Sequence, residues 1–196
     1  MARSNNPEDG NMRAYSFLLQ LCAATCLLTT TGFAADTVPV DQALNLAKLQ
    51  GSGKLTWWGF NIYDAALYRS ANLASPEFAL DLHYQKSFRG ISIANRTAEE
   101  MKRIGVPEVQ AVSWGKQLAT FLPNVEPGQN LTAIYTPKQG TVFYHEGKQI
   151  AQILGVEFPK AFFGIWFDQK TSAPKLREQL LGQNCPPPLF NEVCDL

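Results

Sequence analysis

The sequence predicts an α+β fold, a large antiparallel sheet with helices gathered on one side, and three observations carry that prediction. The first is the run Lys54 to Arg69, rich in aromatic and β-branched residues and free of proline, which reads as one long strand. The second is the alternation of Phe78, Leu80, Leu82 and Tyr84 with Ala79, Asp81, His83 and Gln85. One dry and one wet face mark a strand of an antiparallel sheet covered on one side. The third is helical spacing between the strands: Ala111, Trp114, Leu118, Phe121 and Leu122 fall on one face, which must pack on the core.

Before the first strand, residues 1–35 read as a secretory signal peptide. Arg13 precedes the apolar run Phe17 to Leu28, and small residues up to Ala35 lead to a polar Asp36. Glu8 and Asp9 suit such a start poorly, which makes Met12 the expected initiator. Cleavage after Ala34 or after Ala35 fits. A membrane anchor is the rival reading, but the run falls short of the about 20 apolar residues that a bilayer requires. Export to the periplasm or the medium is the expectation, with no integral membrane segment left after cleavage. Residues 36–196 then form one domain with one core.

Val40 to Leu49 fits a short helix or a strand equally well. Gly51-Ser-Gly53 reads as a turn leading into the long strand, and Gly59 as a bulge, a bend or a close approach. Ser75-Pro76 makes a turn, and Phe88 to Ile93 reads as a short strand. Thr97-Ala-Glu-Glu100 has the pattern of a capping box that starts a helix, stopped by Gly105-Val-Pro107. Pro107 opens the next helix. Leu131–Thr136, Thr141–Tyr144 and Gln149–Leu154 are strands, the last two joined at Glu146-Gly147. Ala161 to Phe167 is apolar almost all round and must be buried, and a last helix spans Lys175–Leu181 and stops at Gly182.

Composition excludes several functions. The 17 basic residues are balanced by 17 acidic ones, so no electrostatic footprint points to nucleic acid. No phosphate-binding glycine loop and no nucleophile elbow is present. His83 and His145 stand apart in the sequence, which leaves little for a metal site or a catalytic triad; no metal and no cofactor is expected. Cys185 and Cys194 bracket eight residues and make a plausible disulfide in an exported chain, with metal binding the weaker alternative. Lys54, Lys86, Arg89 and Arg96 are either surface charge or the mouth of a site for an acidic ligand. Trp57, Trp58, Phe60, Tyr63 and Tyr84 are either core packing or the lining of an apolar pocket.

Taken in order, these residues resemble the chalcone isomerase-like superfamily, and its bacterial exported branch most. The resemblance rests on Gly51-Ser-Gly53 followed by Phe60-Asn-Ile-Tyr63-Asp-Ala-Ala-Leu-Tyr68, on Tyr84 to Gly90, and on Glu100-Met101. It continues through Phe121-Leu-Pro123 with Pro127-Gly128 to Phe163-Gly-Ile-Trp166 ahead of Thr171-Ser-Ala-Pro-Lys-Leu-Arg177. It implies an open-faced β-sandwich with a ligand cleft between sheet and helices. The plant enzymes of this superfamily cyclise a chalcone with an arginine, a threonine and a tyrosine. The matching positions here hold Leu55, Trp58 and Arg96, and a further polar pocket position holds Ile165. Loss of even one oxyanion donor typically costs about 10²–10³ in rate, so no catalytic residue is assigned.

The resemblance therefore implies a non-catalytic protein that binds an apolar small molecule such as a fatty acid in the cleft. Trp58 and Phe60 are the expected wall, and Arg96 or Lys54 the charged mouth. The alternatives are an isomerase or intramolecular lyase acting on an unsaturated carbonyl compound, with Tyr63 or Tyr84 as acid and Arg96 as oxyanion partner, and an interaction protein whose filled cleft binds nothing. Oligomeric state is not legible in the sequence.

Overall fold

A computed structural model describes residues 38–72 and 74–193. The six strands are β1 (Ala47–Trp57), β2 (Phe60–Ser70), β3 (Phe78–Tyr84), β4 (Asn130–Thr136), β5 (Gly140–His145) and β6 (Lys148–Ile153). They form a single sheet in sequence order, every neighbouring pair antiparallel. The helices are α1 (Val38–Leu44), α2 (Gly90–Arg103), α3 (Glu108–Ala119), α4 (Glu157–Phe167) and α5 (Pro174–Leu181), followed by a 3₁₀ turn at Pro188–Val193. This is the α+β architecture the alternation predicts.

The run from Lys54 to Arg69 is not one strand. It is the end of β1, a two-residue turn at Trp58-Gly59, and most of β2, with Trp57 paired to Phe60. Both turn residues have positive φ, 51° at Trp58 and 80° at Gly59. Two successive left-handed residues match the right-handed twist of the flanking strands, the geometry of the commonest short hairpins. The first position usually holds asparagine, aspartate or glycine, and a tryptophan there gives no periodic signal that a turn is coming.

Gly51-Ser-Gly53 is likewise not a turn but lies inside β1, where α5 crosses. A Cβ on Gly51 would run into the carbonyl oxygens of Gln179 and Leu180, and one on Gly53 into the Gln179 side chain. The two glycines are therefore the condition for α5 to lie on the strand.

Phe88 to Ile93 is not a strand. Phe88 makes a lone bridge with Val125, and helix begins at Gly90. The capping-box pattern falls inside α2 rather than at its start: the Thr97 hydroxyl donates back to the Ile93 carbonyl at 2.8 Å, a bond open to any helical threonine. The helix start is served from outside, by Asn124 Oδ1 accepting from the Gly90 amide at 3.1 Å.

Helices α2 to α5 cover one face of the sheet. Phe78, Leu80, Leu82 and Tyr84 of β3 join Leu131, Ala133, Phe143 and the apolar body of α4 in one core. In α4 every residue from Ala161 to Phe167 is buried. The opposite face is not left bare: Val40 and Leu44 of α1 pack on Ala79 and Ile134, flanked by Tyr68 and Tyr144. Beyond α1 that face is polar. Asp81 accepts from Thr132 Oγ1 at 2.6 Å and from Asn130 Nδ2 at 2.9 Å, and His83 Nδ1 lies 2.6 Å from Asn130 Oδ1. Among the described residues no helix is long and apolar enough to cross a membrane. Cys194 lies outside the described residues, and so does its expected pairing with Cys185.

Candidate functional site

Where β2 and β3 meet α2 and α4, a group of polar atoms sits at the edge of the aromatic core. Alternation along β2 turns Tyr63, Ala65 and Leu67 toward the helices, and Tyr84 stands opposite Tyr63 on β3. Their rings meet edge to face at 5.7 Å, and Tyr84 meets Phe88 at 5.9 Å. The Trp166 Nε1 hydrogen donates to the Tyr63 hydroxyl at 3.0 Å. That bond supplies the partner a buried indole N–H requires.

Above them on α2, Glu100 is buried, with one carboxylate oxygen ion-paired to Arg96 and the other 3.6 Å from Arg103 Nε. The spacing of Arg96 and Glu100, one turn apart, puts both on one side of the helix. Arg96 itself keeps 69 % of its side chain exposed, so its guanidinium joins the buried carboxylate to solvent.

Burial pushes both tyrosine hydroxyls far above their ordinary range. At Tyr63 the bond from Trp166 opposes this, the Glu100 charge adds to it, and Arg96 opposes it weakly. At Tyr84 burial dominates and the neighbouring Tyr63 adds to it. Phenols held in this way give up a proton reluctantly, which makes them weak acids at neutral pH. An unfolded tyrosine ionises near pH 10 while these two stay protonated, so the folded state loses stability as pH rises above that value. Absorbance at 295 nm is expected to show two phenols that titrate only together with alkaline unfolding. Two extra phenols titrating in the folded protein would contradict the burial.

The four residues that the sequence nominated for the site do not come together. Arg96 lies at the rim of this polar group. Lys54 pairs across the hairpin with Asp64, its Nζ 3.8 Å from the carboxylate, on the sheet face turned away from Tyr63 and α2. Trp58 is 84 % exposed at the turn apex and Phe60 is 62 % exposed beside it. Neither ring walls the cleft: Trp58 stands in the turn and Phe60 opens β2 at the exposed end of the hairpin. Leu55, by contrast, faces Tyr63 and packs on the core, and Ile165 is buried within α4.

Trp166 and Glu100 were not assigned a role from the sequence. The signals existed: an indole N–H inside a segment that must be buried needs an acceptor, and a glutamate beside the buried Met101 needs a cation. The cleft between sheet and helices is occupied by the chain's own rings. Phe143, Phe158 and Phe162 pack at 5.2 to 6.1 Å, and Phe162 meets Trp166 at 5.4 Å. A shallow, open groove of about 640 Å³ lies elsewhere, bordered by Asp41, Asn45, Lys48 and Ala71. Among the described residues no three of His, Cys, Asp and Glu gather closely enough to hold a metal ion.

A family model described as chalcone isomerase-like matches residues 33–182, which takes in the whole sheet and helices α1 to α5. The chain belongs to the chalcone isomerase-like family. An uncharacterized protein of Haemophilus influenzae is similar, 25% identical over 136 residues that make up 68% of this chain and 67% of that protein. Among solved structures, the fold is similar to that of a fatty-acid binding protein of Arabidopsis thaliana, with a TM-score of 0.51 and 12% identity. The match covers 69% of this chain and 86% of the plant chain, and at that identity it is a likeness of fold.

Proposed function

We propose that this protein is a non-catalytic binder of an apolar carboxylic acid, with a fatty acid as the simplest case. The acyl chain would enter the sheet–helix cleft and its head group would meet Arg96. The observation that carries the reading is the Arg96–Glu100–Tyr63–Trp166 group at the rim of an aromatic interior, on a fold shared with a plant fatty-acid binding protein. Export, with residues 1–35 removed and Cys185 joined to Cys194, belongs to the same proposal.

Two features argue against catalysis. Burial makes the phenols reluctant proton donors, and the guanidinium that would meet an oxyanion already carries a carboxylate. A ligand carboxylate must therefore use the solvent side of Arg96, since Glu100 repels it from the inner side. The acyl chain must displace rings, Trp166 and Phe162 first, because the cleft is filled. That filling favours a second reading, an interaction protein whose interior binds nothing.

Native mass spectrometry of gently purified protein, followed by titration with acids of eight to eighteen carbons, separates the two. The binding reading expects a saturable complex that Arg96→Ala weakens about tenfold, the worth of one charge-assisted contact. No bound molecule and no saturation with any chain length would leave the interaction reading. Turnover of a chalcone would overturn both.

A further inference from the structure

The hairpin tip carries more exposed aromatic surface than the fold requires. Trp57 is 68 % exposed, Trp58 84 % and Phe60 62 %, and the two tryptophans meet edge to face at 6.1 Å. Among the described residues no core packing accounts for them. Trp58 also occupies the left-handed position, φ 51°, where a bulky side chain is disfavoured and asparagine would serve better. Trp58 thus stands at a turn position that favours a smaller polar residue, with its ring exposed.

Positive charge lies beside the tip. Lys54, Lys86, Arg89 and Arg96 flank it in sequence. Lys54 pairs with Asp64, Arg96 with Glu100, and Ser87 donates to Glu126. Of these four cations, that leaves Lys86 and Arg89, both exposed, without an acidic partner among the described residues. Lys86 lies over the Phe60 ring at 5.6 Å, so an ammonium caps the aromatic cluster. The carboxylate nearest in the strand, Asp64, is held by Lys54, Asn61 and Gln85 on the sheet face. Tryptophan with flanking lysine is the chemistry of the bilayer interface: the indole sits among head groups, and the ammonium reaches lipid phosphate.

We infer that the Trp57–Trp58–Phe60 tip, capped by Lys86, docks on an anionic phospholipid surface. The tip would insert to head-group depth and leave the sheet and its helices in water. The inference holds whether or not the cleft takes a ligand.

The test uses the full chain with vesicles of phosphatidylglycerol and phosphatidylcholine in equal parts, and with phosphatidylcholine alone. The apolar run at residues 17–28 is common to every variant, so differences between variants report on the tip. Trp58→Asn creates Asn-Gly at the turn, and thermal unfolding is expected to stay level or rise. Partitioning onto the anionic vesicles is expected to fall about tenfold for the lost apolar burial. Lys86→Gln is expected to lower it about fivefold, a loss absent on phosphatidylcholine alone. Bromine-labelled lipid is expected to quench tryptophan emission in the parent protein and far less in Trp58→Asn. Equal partitioning and quenching of parent and variants would overturn the inference. So would self-association that depends on Trp58 without lipid binding, because the tip would then join two copies of the chain.

Discussion

Truncating Phe163 to alanine is expected to cost about 3–5 kcal/mol of folding stability. The side chain is fully buried, and its ring meets Phe78 at 4.7 Å, Phe162 at 5.1 Å and Phe167 at 6.5 Å. Phe78 and Phe167 are themselves fully buried, so the void would open between strand β3 and helix α4, and neither can collapse into it without leaving other partners. The cost combines the lost transfer energy of the ring with the cavity left behind. Chemical denaturation of parent and variant at equal slope measures it. A loss below about 1 kcal/mol would mean that α4 is free to move onto the sheet, and that the interior is looser than its ring contacts indicate.

Gly51→Ala is expected to cost about 2–3 kcal/mol through overpacking, an effect far larger than one methyl group elsewhere on an edge strand would have. The added Cβ would meet the Gln179 and Leu180 carbonyl oxygens, with only 2.5 Å left to the latter. Both are helix backbone, so the strand or the whole of α5 must shift. Gly59→Ala provides the contrast. Nothing lies within 4 Å of a Cβ there, and only the positive φ of 80° opposes it, at about 1–2 kcal/mol. Thermal unfolding of the two variants side by side checks the order. Gly51→Ala melting above Gly59→Ala would show that α5 is not seated as tightly as the glycine pair implies.

The legible parts of the fold were those in which one physical signal decides. Alternation fixed β3, and Glu146-Gly147, with φ 50° and 74°, marked the hairpin between β5 and β6 because glycine at a left-handed position is a direct chemical cue. The apolar character of Ala161–Phe167 required burial whatever its secondary structure. Thr97-Ala-Glu-Glu100 misled because the same residues serve the interior of a helix: Thr97 bonds back to Ile93, and Glu100 pairs with Arg96 and Arg103. Trp58-Gly59 misled because tryptophan is a strand residue by propensity and a poor turn residue by geometry. Of the nominated site, Arg96 belongs to the rim of the cleft. The hairpin took Trp58 and Phe60 out of it, and strand parity put Lys54 on the other face.

By itself the sequence determined the fold class, most of the strands and helices, and membership of the chalcone isomerase-like family. Those are properties of local pattern and of residue identity at matched positions. Only the tertiary structure decided which face of the sheet each polar group occupies. It also decided that the cleft is filled with phenylalanine and tryptophan, and that an exposed aromatic group stands at a turn. One residue of register or one extra turn exchanges inside for outside along an entire strand, and packing, which depends on residues far apart in the chain, selects the outcome.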